Sequence, residues 1–410
     1  MIDFSHMAKQ HSKAQLSERV RQHLKKTRPH VVVGVAAAGI FAVGIFFVGY
    51  ASVFAMLTGS KSIDYVRAAM GGSVASTSLS FTATTTPVLD SAAYNKKLLQ
   101  IANYKSPLAT STVIRIGTTT VSTSSPRAAT TTPVSHRLWP AKAAVPLAGA
   151  LLPFNRIVAY YGNYYSTGMG ILGEYSSDKV LSMLASTTAM WRAADPSTPV
   201  VPAIDYIAVT AQGSAGADGK YRLRMPDSQI DKALAMARQI NGIVILEVQP
   251  GLSNMQIEVP QLEKYLMMPN VELALDPEFS MQTSGLRPEA VIGTLDAKDI
   301  NWVTDYLANL VTKYNLPPKI LIVHRFTEDM VTHYRLIKTV PQVQFVLDMD
   351  GWGSQAKKIG TYTNVIYAEP VQFTGFKLFY KNDKKPPSTG LLTPAQVLKL
   401  TPQPSFIQYQ

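Results

Sequence analysis

Between Phe154 and Gln410 eight short apolar runs recur, separated by longer amphipathic stretches. The runs are RIVAYYG (156–162), VVPAIDYIAV (200–209), GIVILEV (242–248), VELALD (271–276), KILIVH (319–324), VQFVLD (343–348), NVIYAE (364–369) and SFIQYQ (405–410). Each is rich in β-branched or aromatic residues and apolar on both alternating faces, as a parallel strand buried on two sides requires. The intervening stretches carry helix signals. Ser177 and Asp178 open one, Asp227 and Ser228 open another that Asn241-Gly242 stops, and Asp296 opens a third that Pro317-Pro318 stops. TEDMVTHYRLI and TPAQVLKL read as shorter helices. Strand–helix alternation implies right-handed crossovers and a parallel sheet. Eight units in a segment near the typical length of about 250 residues predict an α/β fold, the closed (β/α)8 TIM barrel, over an open doubly wound sheet. No G-x-G-x-x-G follows the first strand, which weakens a dinucleotide-binding reading.

What precedes the barrel is different in kind. Val31 to Leu57 is a run of 27 residues without a charge. A bilayer core needs roughly 20 apolar residues in a helix, so residues 31–57 are expected to form a transmembrane helix in contact with lipid. Arg19, Arg21, Lys25, Lys26 and Arg28 lie just upstream, and the positive-inside rule then keeps residues 1–30 in the cytoplasm as a basic tail. The competing reading is a cleaved secretory signal, whose apolar core of about 7–15 residues is much shorter. Residues 58–153 are rich in Ser, Thr and Pro and read as a disordered extracytoplasmic linker, with SAAYNKKLLQIANYKS able to form a short helix within it. The barrel at 154–410 would be displayed outside the membrane. Its eighth strand has no helix after it, so LAGALLP (147–153) is expected to pack against the barrel and support closure.

Charge narrows the partners. The chain carries a net +12, but residues 143–410 hold 23 Lys/Arg and 23 Asp/Glu. The basic excess therefore belongs to the tail and linker, and nucleic acid is not an expected partner. There is no cysteine among the 410 residues, which excludes disulfides, thiol catalysis and thiolate metal sites.

In such barrels the active site lies at the carboxyl ends of the strands. Those positions hold Asp205, then Glu247 and Gln249, then Asp276 and Glu278, His324 and Arg325, Asp348 and Asp350, and Glu369, with Glu174 in the loop after the first strand. Acids or a histidine thus end strands two to seven. Carboxylates at the ends of apolar strands are costly to desolvate unless paired or hydrated, and their recurrence points to an acidic pocket. Glycoside hydrolysis fits it, because that chemistry needs one neutral carboxylic acid and one ionised carboxylate. Glu278 is the expected proton donor, raised by its neighbour Asp276, with Glu369 or Glu247 as partner. Tyr161 and Trp352 are expected to meet sugar rings, together with the polar group Glu174, Asp205, Gln249, His324, Arg325, Asp348 and Asp350. A divalent cation held by Asp276, Glu278, His324, Asp348 and Asp350 is the second reading, disfavoured because no His-x-His or His-Glu-x-x-His spacing occurs. No metal or other cofactor is expected. A barrel that binds a cell-envelope polymer without cleaving it is the third. G-x-S-x-G and G-x-x-x-x-G-K-[ST] are absent.

The strings MGILGEYSSDK, PAIDYIAVTAQGSAGADGKYR, ILEVQPGLSN, LALDPEF, IGTLDAKDINWV, LPPKILIVHRF and DMDGWG follow one another over about residues 156–360. Together they resemble a family of exported, glycosidase-like barrel proteins of bacterial cell envelopes, with no established substrate. The resemblance implies a (β/α) barrel outside the cytoplasmic membrane acting on, or binding, a polysaccharide. The family pattern carries Asp where this chain has Glu247, and Gln where it has Arg325. Many retaining glycosidase barrels place their acid on strand four and nucleophile on strand seven. Glu278 and Glu369 would suit those places by fold analogy, although this chain shows Asp-Pro-Glu where those enzymes show Asn-Glu.

Overall fold

A computed structural model of the chain describes residues 89–103 and 137–410. The transmembrane helix expected over 31–57 lies outside them, as do the cytoplasmic tail and most of the linker. Among the described residues no helix is long and apolar enough to cross a membrane.

Eight parallel strands close into a barrel. They are β1 (Arg156–Gly162), β2 (Val200–Ala211), β3 (Ile243–Val248), β4 (Val271–Leu275), β5 (Lys319–Arg325), β6 (Val343–Met349), β7 (Phe373–Leu378) and β8 (Phe406–Tyr409). Each pairs with the next in sequence, and β1 pairs with both β2 and β8, so no edge is left open. Helices α2 (Ser177–Ala194), α3 (Asp227–Gln239) and α4 (Ala297–Tyr314) cross back outside the sheet. The start of α4 follows from Asp296, whose carboxylate accepts the Lys298 amide, and its end from Asn315 in the left-handed region.

Two expected elements differ. NVIYAE is not a strand. Tyr362–Tyr367 is a π-helical turn continuing α5 (Gln355–Thr361), and the seventh strand is FTGFKL, at Phe373–Leu378. Tyr362, Val365 and Ile366 are buried at helical spacing, and the Tyr362 hydroxyl bonds Thr374 and the Pro402 carbonyl, which ties this β-branched run to the outside of the sheet. TEDMVTHYRLI also fails to make an α-helix. It forms two 3₁₀ turns around Val331–Thr332, which pairs in parallel with Leu295–Asp296. Thr332 and His333 both bond the Asp296 carboxylate, 2.7 and 2.6 Å away, and the β-branched pair is worth more in that bridge than in a helix.

The core has two layers. The larger fills the space between sheet and helices, around Val158, Leu184, Trp191, Leu246, Leu307 and Phe376. The smaller fills the barrel's foot with Ile157, Ala203, Ile243, Ile245, Ile320, Ile322, Val346 and Phe406. That foot is stoppered by chain from before the barrel. Leu152 is fully buried there and exchanges hydrogen bonds with the Gln344 side chain, 3.1 and 2.6 Å long. Helix α1 (Ser91–Ala102), capped by Asp90, adds Tyr94 and Ile101 to the same cluster. Asn103 then anchors its end to the Leu398 and Leu400 carbonyls. The folded body thus begins well ahead of Phe154.

Candidate functional site

Side chains alternate across a strand, so residues two steps beyond an inward apolar residue also point inward. At the upper end of the barrel this brings Tyr161, Asp205, Glu247, Asp276, His324, Asp348, Lys377 and Gln408 together, one from each strand or its end, and all eight are buried. His324 is the hub. Its Nε2 lies 2.9 Å from Glu247 and its Nδ1 3.0 Å from Asp348, with Asp350 at 3.7 Å. The other Glu247 oxygen accepts from the Tyr161 hydroxyl at 2.8 Å and from Gln249 at 2.9 Å. Gln249 reaches on to Asp276 at 3.3 Å, and its own oxygen accepts the Ala211 amide. Lys377 pairs with Asp350 at 3.0 Å and lies over the Tyr161 ring. Gln408 donates to Asp205 at 2.6 Å.

The electrostatics divide this cluster. Burial alone would push Glu247 up, but the His324 imidazolium and Lys377 outweigh it and hold its carboxyl below the usual range. Burial would likewise depress His324, and Glu247 and Asp348 reverse this and raise it well above an ordinary imidazole. Asp205, buried and facing Glu247, is pushed up to about 8. Asp276 is raised well above its usual value by burial and by Glu247. The layer therefore keeps a charged His324–Glu247 pair and stores protons on neighbouring acids.

Above this layer opens a cavity of about 670 Å³, lined by Tyr161, Gln249, Asp276, Glu278, Asp350 and Trp352 among others. Glu278 stands on the short 3₁₀ turn after β4, its amide held by the Asp276 carboxylate at 3.1 Å. Its own carboxyl takes no hydrogen bond or ion pair from the described residues. Burial, then the charge of Asp350, pushes it up to about 7. The expected direction is found, but Asp350 rather than Asp276 supplies the leading repulsion. A second chamber of about 370 Å³ adjoins the first, sharing Gly168, Phe379, Asn382 and Gln410 with it, and is lined by Glu174.

Several expected site residues sit elsewhere. Glu369 is not at a strand end: it follows the π-helical turn and pairs with Arg325. Arg325 neighbours the inward His324 and so points out of the barrel, where it bonds the carbonyls of Thr327, Glu328 and Val331. Neither lines the cavity. Glu247, Asp205, His324 and Asp348 lie beneath it, as support rather than surface. Sequence reasoning missed Lys377 and Gln408. The signal for Lys377 was a lone lysine inside the apolar run FTGFKLF, and that for Gln408 its place two residues past Phe406. Among the described residues no group of three or more His, Cys, Asp or Glu is arranged to hold a metal ion.

No family model matches the chain, and no curated protein does. Solved structures match part of the chain at low identity. The mannanase man26 of Bacillus subtilis is 11% identical, with a TM-score of 0.34, over 62% of this chain and 79% of that one. A xyloglucan-specific GH5 endo-β-1,4-glucanase from a metagenomic library is also 11% identical, with a TM-score of 0.31, over 60% and 81%. The Plasmodium falciparum HPPK-DHPS protein gives 10% and 0.29, over 62% and 44%. Likeness at this level adds nothing to the strand order, and the site is read from its own geometry.

Proposed function

We propose that the chain is a glycoside hydrolase-like barrel that cleaves an extracellular or cell-envelope glycan. The observation that carries this reading is the Glu278 carboxyl, which faces the cavity with no hydrogen-bond partner among the described residues and is poised near neutrality. A group of this kind donates a proton to a glycosidic oxygen. Asp350 is its partner carboxylate. It lines the same cavity, is paired with Lys377, and acts more strongly on Glu278 than any other neighbouring charge. Glu247 is excluded from that role because both of its oxygens are taken by Tyr161, Gln249 and His324. It fixes the charge of the floor instead. Trp352, 49% exposed, supplies a face for a sugar ring, whereas the Tyr161 ring is buried beneath Lys377 and belongs to the floor.

Export and anchoring complete the reading. The uncharged run at 31–57 and the basic residues before it support a single span with its N-terminus in the cytoplasm and the barrel outside. Protease digestion of intact cells tests this, since a barrel that survives until the cells are lysed is not outside.

The activity is tested by incubating the full chain, in a non-ionic detergent, with a panel of glycans and reading new reducing ends by mass. Cleavage that disappears in Glu278→Gln and in Asp350→Asn is expected. Cleavage that survives Glu278→Gln removes the proposed acid. A second reading is favoured by the locked state of Glu247 and Glu369: a barrel that only binds the polymer. Saturable binding without any cleavage would select it.

A further inference from the structure

Residues 143–410 carry equal numbers of acidic and basic side chains, so a local excess of one sign there is a matter of placement. Such an excess borders the cavity. The loop after β6 and its helix contribute Lys357, and the loop after β7 contributes Lys381, Lys384 and Lys385, all exposed. Lys381 is paired with Glu174 at 2.8 Å. The other three reach no carboxylate among the described residues. They lie over aromatic rings instead: Lys357 and Lys385 stand 5.3 and 5.5 Å from the Trp352 ring centre, and Lys384 stands 5.9 Å from that of Tyr380. Trp352 is 49% exposed. The acids of the cavity are arranged differently. Asp276 and Asp350 lie at the floor, 2% and 6% exposed, while Glu289, an exposed acid of the lining, belongs to another loop, the one after β4. Lys357 and Trp352 line the first chamber and Lys384 and Tyr380 the second, so the lysines and rings follow the joined groove from one into the other.

A ring face beside an unpaired ammonium suits a sugar that carries a negative substituent. The aromatic ring takes the apolar face of the pyranose, and the ammonium, already held near the ring, meets the anion. Two joined chambers suit a chain rather than a single sugar. We infer that the groove takes an anionic polysaccharide, with acidic substituents over Lys357, Lys384 and Lys385 and the bond to be cleaved beside Glu278. The assignment rests on the hydrolase reading for its cleavage site, and on the lysines and rings for its charge.

Calorimetric titration of the full chain in a non-ionic detergent tests it with three polymers. Polygalacturonate supplies carboxylates, poly(glycerol phosphate) supplies phosphates, and hydroxyethylcellulose is neutral. Binding of one or both anionic polymers is expected at low salt, weakened at high salt and reduced on the order of tenfold in the K357Q/K384Q/K385Q variant. The polymer preferred names the acidic group. Equal binding of hydroxyethylcellulose, or an unchanged affinity in the triple variant, overturns the anionic assignment and leaves the hydrolase reading standing. Failure of all three polymers to bind, with no cleavage of the wider glycan panel, overturns both.

Discussion

Lys358 and Asp383 form an ion pair closed to solvent, 3.1 Å apart and only 2% and 1% exposed. The lysine rises from α5 and also donates to the carbonyls of Gly351 and Lys377. The aspartate accepts the amides of Gly353 and Phe379. Two loops that wall the cavity, after β6 and after β7, are thereby fastened to one another. Lys358→Met leaves a buried carboxylate without its cation and should cost about 3–5 kcal/mol. Adding Asp383→Asn should recover part of that loss, because it removes the unpaired charge. The recovery stays partial because the Gly353 and Phe379 amides bond opposite carboxylate oxygens and the single amide oxygen can accept only one of them. Urea denaturation of the two single variants and the double measures this, and simple additivity would show that the pair is not coupled.

Glu278 sets the pH response of the proposed reaction. A proton donor titrating near 7 is lost as pH rises through that value, so kcat/KM should fall on the alkaline side of neutrality. A pH profile measured on whichever glycan is cleaved checks this. A rate that holds steady from pH 6 to about 9 would mean that another group donates the proton.

Asp205 should govern stability over a similar range. Its folded-state value of about 8 stands above that of an unfolded aspartate, near 4. The protonated side chain therefore contributes stability that is full below about pH 4 and is lost as pH rises through about 8. His324, Glu278 and Asp276 are raised as well, and they act in the same direction. Thermal melts should show the wild-type chain weakening from pH 5 to pH 9, with the advantage of Asp205→Asn growing over the same interval. A constant difference between the two proteins would contradict the assignment.

The foot of the barrel is expected to depend on chain that precedes it. Ile101 is 8% exposed and packs in the same cluster as Ile157 and Phe406. Ile101→Ala should cost about 2–3 kcal/mol, read as a lowered melting temperature. No change would mean that α1 contributes nothing to the stability of the barrel.

Seven of the strands were legible because each is apolar on both faces, and β-branched residues in short runs have few other uses. The seventh was misread for a physical reason. NVIYAE has the composition of a strand, yet Tyr362, Val365 and Ile366 are buried on one helical face. FTGFKL looks a poorer strand because it includes a glycine and a lysine. Both have a purpose that appears only in three dimensions. A Cβ on Gly375 would lie 2.3 Å from Asp348, and Lys377 neutralises part of the acidic floor. Misplacing that strand carried Glu369 into the site and kept Lys377 out of it. The division of labour among the acids was also illegible. Which carboxylates line the cavity and which are consumed by His324 depends on a shear between strands that no single run of residues reveals.

Gln410 sits beside both chambers, its backbone paired with Leu378 and Tyr380. A fluorophore attached there would stand over the groove and report whether the proposed sugar chain enters it. The same dye placed near Leu89, beside the helix that stoppers the foot, would stay dark to that event. The fold thus supplies a built-in pair of positions, one for sensing and one for control.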